Sequence, residues 1–184
     1  MLNRLTQVED WDGGTAAYGY DEAGRIVTAT LPNGTETAYA YDDANRLTLI
    51  EHRNSGGDLL ARYTYELDGV GNRVQAIETI STPGSGLITT TITYTYDSLY
   101  RLTEADYSSG VEFEYVYDAV GNRTSYTATI TSTQNTTYAY DAANHLVNVG
   151  GVAYTWDDLG RLVNDGTYSF TWDAASRLIQ SPTA

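Results

Sequence analysis

The chain of 184 residues contains no cysteine and no lysine, and only three prolines, two phenylalanines and one methionine. Without cysteine it has no disulfide framework and no thiolate metal site, and the redox compartment is not written in it. All ten basic residues are Arg, set against 24 acids, for a net charge of −14. Nucleic-acid binding needs basic patches that contact phosphates, so it is excluded as an expectation, and acidic membrane surfaces would repel the chain. No apolar run approaches the roughly 18–20 residues of a membrane helix, so no membrane insertion is expected. The opening MLNRLTQVED lacks the apolar stretch of a signal peptide. Leu, Ile, Val and Phe together number 36, just under the level of about 20% at which disorder becomes a concern. What replaces them is 17 Tyr, three Trp and 27 Thr. Each aromatic can bury roughly 150–250 Å² and Thr favours pleated surfaces, which argues for an ordered β-protein. Tyr in place of Leu suggests a sheet whose inner face is thinly covered, closer to a shell than to a solid sandwich.

The order lies in a repeat. Aligned on one Asp, eight segments read YGYDEAGRI, YAYDDANRL, YELDGVGNRV, YTYDSLYRL, YVYDAVGNRT, YAYDAANHL, YTWDDLGRL and FTWDAASRL. The Asp residues are Asp21, Asp42, Asp68, Asp97, Asp118, Asp141, Asp157 and Asp173, spaced 21, 26, 29, 21, 23, 16 and 16 apart. Before each come two alternating positions: Tyr18 and Tyr20, Tyr39 and Tyr41, Tyr65 with Leu67, Tyr94 and Tyr96, Tyr115 and Tyr117, Tyr138 and Tyr140, Tyr154 and Trp156, Phe170 and Trp172. A basic residue follows: Arg25, Arg46, Arg73, Arg101, Arg123, Arg161 and Arg177, with His145 in the sixth copy. "NRL" at residues 3–5 is the tail of a ninth copy. Self-similarity of this kind means one supersecondary unit copied along the chain.

Each copy reads as strand, turn, strand, turn. In "GVEFEYVYD", Val111, Phe113, Tyr115 and Tyr117 share one face of a strand while Glu112, Glu114 and Val116 share the other. The Asp opens a turn by accepting hydrogen bonds from backbone just beyond it. The residue before the basic one is Gly24, Asn45, Asn72, Tyr100, Asn122, Asn144, Gly160 or Ser176, and six of these eight are types that tolerate positive φ. On this reading a Val at Asn122 would be costly, and the turns at Tyr100 and Ser176 fit the rule less well. The far ends break at "PNG", "NSGG", "PGSG", "SSG", "GG" and "NDG", all hairpin signals. Eight copies predict about sixteen short antiparallel strands in a meander and no helix. Regular strand aromatics of this kind are expected to be core.

Chemistry is sparse. His52, read as lying in a turn region, and His145 are the only histidines, and no spacing places either beside a nucleophile, so no catalytic residue is assigned. The Asp and Arg four or five residues apart are expected to close turns rather than line a binding groove. "EDWDGG" at residues 9–14 lacks the further acids of a calcium loop, so no metal or cofactor is expected.

The Y-x-Y-D-x-x-G-N-R pattern, with "YVYDAVGNRT" as its fullest copy, resembles the YD repeat of the Rhs family. That family includes bacterial polymorphic toxins, insecticidal toxin complex subunits, wall-associated proteins and animal teneurins. The resemblance covers the whole chain and implies an all-β antiparallel hairpin meander forming a curved or spiralling sheet. It implies a single array over residues 1–184, a segment of a larger shell that is secreted or at the cell surface. The function implied is a non-enzymatic structural module, or alternatively an adhesion module that binds carbohydrate or a cell surface. The partners implied are neighbouring repeats, other copies of the chain through sheet edges, an enclosed toxin, or a cell-surface glycan.

Overall fold

The computed structural model describes residues 4–180, so Asn3 of the partial ninth copy lies outside the described residues. Among the described residues there is no helix, and the strands are β1 (Gln7–Glu9), β2 (Thr15–Tyr20), β3 (Ile26–Thr30), β4 (Glu36–Tyr41), β5 (Leu47–Arg53), β6 (Leu59–Leu67), β7 (Arg73–Thr82), β8 (Gly86–Tyr96), β9 (Leu102–Tyr107), β10 (Glu112–Tyr117), β11 (Arg123–Thr129), β12 (Thr133–Tyr140), β13 (Leu146–Val149), β14 (Val152–Ala153), β15 (Thr155–Trp156), β16 (Leu162–Asn164), β17 (Thr171–Trp172) and β18 (Leu178–Gln180). Strands β1 to β14 take their places in one antiparallel sheet in chain order, and β15–β16 and β17–β18 are separate pairs. Contacts divide the chain into two compact units. The first runs up to Thr95 and includes Asp106–Ser109; the second holds Tyr96–Ala105 and continues from Gly110.

Among the described residues eighteen strands stand where about sixteen are expected. One extra is β1, which pairs with β2 ahead of the first full copy. The other arises because the seventh copy's first strand is shared between two neighbours. Its β14 half pairs with β13 and its β15 half with β16, with the switch at Tyr154. The Tyr154 N–H still reaches the Val147 carbonyl at 2.9 Å, so the meander is continuous through the switch.

Every Asp turn has one geometry. The N–H three residues after the Asp donates to the Asp carbonyl, and the Asp N–H donates to the carbonyl four residues on, at 2.9–3.2 Å throughout. The third residue stands at positive φ: Gly24, Asn45, Gly71, Tyr100, Gly121, Asn144, Gly160 and Ser176. A register shift follows beside the strand's last residue, as between Val116 and Tyr117. This is a type I turn closed by a left-handed residue in a bulge, the common three-residue hairpin connection. Two expectations are corrected by it. In the Gly-Asn-Arg copies the left-handed residue is Gly71 or Gly121, not Asn72 or Asn122, because the turn counts from the Asp and those copies carry one extra residue before the Arg. Tyr100 and Ser176 make the same turn as the rest, at φ 62° and 59°.

The opposite ends vary more. "PNG" and "NSGG" build the same bulged turn, with Gly34 and Gly57 left-handed. Gly150 and Gly151 are both left-handed, as a two-residue type I′ turn requires. The turn Ile130–Ser132 carries no Gly, Asn or Pro and escapes sequence reading; its flanking Thr129 and Thr133 join through their hydroxyls at 3.1 Å.

The core is thin. Among the described apolar residues only Ala76, Ile92 and Ala105 are buried, and no large side chain is fully buried. The expected aromatic core is therefore corrected. The rings lie half-buried along the sheet and touch across strands, as Tyr115 on Tyr126 at 5.5 Å and Phe113 on Tyr126 at 6.1 Å. Cross-strand pairs of this kind contribute roughly 0.2–1 kcal/mol each, so the fold rests on many small terms.

The turn geometry makes a paired prediction. A Cβ added at Gly121 meets nothing within 4 Å, and its φ is 101°, so Gly121→Ala tests backbone strain alone. It is expected to lower stability by about 1–3 kcal/mol. Tyr100→Gly removes strain at a residue 60% exposed. It is expected to leave stability within about 1 kcal/mol of the parent, because relief of strain offsets a looser unfolded chain. Denaturant titration of both variants checks this; equal losses at the two sites would refute the turn assignment.

Candidate functional site

The residues that recur converge on the Asp turns, so the candidate site is the row of turns itself. At each turn one oxygen of the Asp carboxylate accepts backbone N–H groups from its own loop. Asp97 Oδ1 takes the N–H of Leu99 and of Arg101 at 2.9 and 3.0 Å. The other oxygen takes the basic side chain: Nε of Arg25, Arg46, Arg101, Arg161 and Arg177 lies 2.6–2.7 Å from Oδ2 of Asp21, Asp42, Asp97, Asp157 and Asp173. His145 Nδ1 stands 3.0 Å from Asp141 Oδ2 in the Arg position.

The two Gly-Asn-Arg copies use another residue for the same task. Asn72 Nδ2 donates to Asp68 Oδ2 at 2.9 Å, and Asn122 Nδ2 to Asp118 Oδ2 at 3.0 Å. The extra residue moves the Arg to the first position of the next strand, away from the turn. Arg73 lies over the Tyr65 ring, 3.8 Å from its centroid. Arg123 lies 4.6 Å from the Tyr138 centroid and donates to the Tyr138 hydroxyl at 3.0 Å. Arg73 and Arg123 therefore do not close turns, as Asp–Arg spacing alone implies they would.

Six of the eight clamps also grip the next copy. Arg25 Nη1 donates to the Asp42 carbonyl at 3.3 Å and to Asn45 Oδ1 at 2.7 Å, and its guanidinium covers the Tyr41 ring at 4.7 Å. Arg101 reaches the Asp118 carbonyl at 2.9 Å and covers Tyr117 at 4.8 Å. Arg161 reaches the Asp173 carbonyl at 3.0 Å and lies 5.9 Å from Trp172. Arg46 reaches the Asp68 carbonyl at 2.7 Å, where Leu67 replaces the ring. Arg4, of the partial copy, reaches the Asp21 carbonyl at 3.2 Å and covers Tyr20. Asn122 reaches Asn144 Oδ1 at 3.0 Å, and His145 stacks on Trp156 at 4.9 Å.

The second aromatic of a copy answers in the opposite direction. Its polar tip donates to a backbone carbonyl of the copy before: Tyr20 to Leu5, Tyr41 to Ile26, Tyr117 to Leu102, Tyr140 to Arg123, Trp156 to Leu146 and Trp172 to Leu162, all at 2.7–3.0 Å. The signal for this is in the sequence. The second position holds Tyr or Trp in seven of eight copies, each with an O–H or N–H to give, whereas Phe170 stands at a first position. The first aromatics Tyr18, Tyr39, Tyr94 and Tyr115 lie half-buried within β2, β4, β8 and β10.

Electrostatics follow from these bonds. All eight Asp carboxyls are held below the ordinary Asp range. The Arg side chain acts most strongly at Asp21 and Asp157, and the backbone N–H of the basic residue at Asp42, Asp97, Asp141 and Asp173. At Asp68 and Asp118 burial pulls upward, and Asn and backbone donors outweigh it. Glu51 is a separate centre: burial raises its carboxyl, but Arg62 and Arg53 on its two oxygens bring it below the usual range. The ten Arg are thus committed to turns, rings or Glu51.

Among the described residues nothing else assembles into a cluster of reactive groups. His52 lies on β5 rather than in a turn, with Nδ1 2.9 Å from the Thr37 hydroxyl, because "LTLIEHR" continues the strand to Arg53. In "EDWDGG", Asp10 Oδ1 is occupied by the N–H of Asp12 and Gly14, so this is one more bulged turn, with Gly13 left-handed. The described residues hold no ligand-sized cavity and no cluster of metal-ligating side chains.

Comparison with known proteins gives two family matches. Residues 71–183 match the teneurin YD-shell, and residues 2–36 and 20–59 match the RHS repeat. No curated protein matches. Among solved structures, a TcdB2–TccC3–Cdc42 crystal structure is similar over 94% of this chain and 11% of its own, at 20% identity and a TM-score of 0.76. A Photorhabdus luminescens Tc holotoxin pore is similar over 95% of this chain and 12% of its own, at 18% identity and a TM-score of 0.62. The chain therefore spans about an eighth or less of the solved chains it resembles.

The depressed carboxyls fix a pH response. A group whose folded pKa lies below its unfolded value stabilises the fold above the unfolded value and loses that contribution as pH falls through the folded one. Eight Asp and Glu51 act together, so thermal stability is expected to hold from pH 7 to about 5 and to fall steeply below about pH 4. Melting curves at fixed ionic strength check this. A melting temperature that rises between pH 4 and 2.5 would show that relief of the net negative charge outweighs the clamps.

Proposed function

The chain belongs to the teneurin YD-shell family, and from that premise we propose that it is a non-enzymatic structural module, one array of YD repeats forming a segment of a larger β-shell. The shell is a secreted or cell-surface assembly. Its partners are neighbouring YD repeats or other copies of the chain meeting through sheet edges, and the enclosed side shields a guest such as a toxin. The observation that carries this reading is the commitment of the recurrent polar groups to holding one copy against the next. A guanidinium that clamps its own turn, caps the next carbonyl and covers the next ring is occupied on every side. Its mechanism is mechanical: copies stack by repeating the same joint, so the sheet extends by addition.

A second reading has one observation in its favour. Trp11, at the tip of the β1–β2 turn, is 95% exposed. An exposed Trp flanked by acids suits stacking on a sugar ring whose hydroxyls donate to carboxylates, which would make this an adhesion module. A glycan array separates the two. No saturable binding is expected; a specific glycan whose binding is lost in Trp11→Ala would replace the scaffold reading with adhesion.

A further inference from the structure

One strand in the first compact unit overruns its neighbour. On one side β8 is paired with β7 without interruption from Gly86 to Thr93, that is from Thr82↔Gly86 to Gln75↔Thr93. On the other side the cover stops at Thr91, whose carbonyl takes the Ser108 N–H at 2.8 Å and whose N–H goes to the Ser108 hydroxyl at 2.9 Å. Thr91 therefore points its backbone groups away from β7. Those of Thr89 and Leu87 do the same, by the two-residue period of a strand. The stretch Gly86–Thr89 is exposed. Two N–H and two C=O groups thus stand free in a row, an edge of the kind that recruits another strand.

Natural edges are guarded by charge, proline or a bulge, and this one is not. Residues 79–96 form the longest run without a charged side chain in a chain of net charge −14, bounded by Glu78 and Asp97. Pro83 lies in the turn, outside β8, and the β7–β8 register is unbroken. Apolar surface accompanies the edge: Ile80 is 42% exposed, Leu87 56% and Ile88 50%.

We propose that this edge pairs with the same edge of a second copy. The occupant follows from register and charge. Set antiparallel about a two-fold axis at Ile88, Leu87 of one chain faces Thr89 of the other, and each pair exchanges two backbone hydrogen bonds. All four free groups on each copy are satisfied. Ile88 meets its own counterpart at the axis in a non-hydrogen-bonded pair, the closer of the two side-chain spacings. Ile80, the cross-strand partner of Ile88 on β7, extends the contact into a stripe of four Ile across β7, β8 and their symmetry mates. The ladder stops of itself at Thr91, where Ser108 occupies the next site. An isologous contact of this kind closes as a dimer. A charge-free segment is where two strongly acidic chains approach at least electrostatic cost. This inference places the copy-to-copy contact named in the proposed function, and stands independently of whether the shell encloses a guest.

Because the chain has no cysteine, a single substitution reports the register. In Ile88→Cys the two thiols meet across the axis with Cβ atoms about 4.5–5.5 Å apart, within reach of a disulfide after small adjustment. In Ile80→Cys they lie three strand spacings, about 14 Å, apart. Mild oxidation of the full chain in about 0.5 M salt, where exposed charges are screened, is expected to give a covalent dimer from Ile88→Cys at least tenfold faster than from Ile80→Cys. Ile88→Glu, which sets like charges at the axis, and Thr89→Pro, which deletes the outward N–H together with the Thr89–Thr79 hydroxyl bond, are expected to be monomeric by sedimentation where the parent is dimeric. Leu159→Glu, in the other unit, is the control and stays dimeric; circular dichroism confirms that each variant is folded. A parent that is monomeric at high concentration in salt overturns the proposal. So does a dimer that survives both Ile88→Glu and Thr89→Pro, which would place the contact at the end strands instead.

Discussion

The structure depends on one carboxylate doing two things. In each copy the Asp accepts the N–H groups of its own turn through one oxygen and a side-chain donor through the other. The first bond fixes a left-handed residue three positions on, which no core packing is present to enforce. The second holds the donor against the turn, in five copies a guanidinium whose remaining N–H groups are left for other partners. Without the first the strand does not reverse at the right residue, and without the second the copies lose their common joint. With Ala76, Ile92 and Ala105 the only buried apolar side chains among those described, burial cannot substitute for either.

Charge is organised by the same constraint. Cations are placed only where a turn, a ring or Glu51 needs them, and a surplus of acids is left to keep chains apart. Surface ion pairs in general contribute little. Here the Arg does more than pair, since its carbonyl contacts and ring contacts reach across the boundary between copies. Contacts to a ring add about 0.5–1 kcal/mol at exposed sites. The surplus of acids thins out in two long stretches, residues 79–96 and 124–140, and the first of these coincides with the unpaired edge of β8.

Much of this was legible in the sequence, because the repeat states its own period. The all-β class, the hairpin meander, the eight turns and the Asp at each turn follow from spacing and turn chemistry. What failed did so for physical reasons. Aligning on the Arg rather than counting from the Asp put the left-handed residue at Asn72 and Asn122, although backbone geometry counts bonds and not residue types. Tyr100 is unsuited to its turn by propensity alone, and the Asp97 bonds that hold the loop override that propensity. His52 looked like turn because the Gly-rich break follows it so closely. Aromatic periodicity points to burial, whereas Tyr and Trp serve here through their donors: Phe would cover a strand as well and could not bond to Leu102 or Leu162. The free edge of β8 was not legible at all, since it depends on where β9 ends beside it.

The central claim is that an Arg clamp such as Arg101 belongs to two copies at once. Amide hydrogen exchange in Arg101→Ala tests it directly. The account predicts faster exchange at the Asp97 turn and, to a comparable degree, at the Asp118–Asn122 turn of the following copy, with the Asp157 turn unchanged. Acceleration confined to the Asp97 turn would contradict it, and would mean that the copies are held together by strand pairing alone.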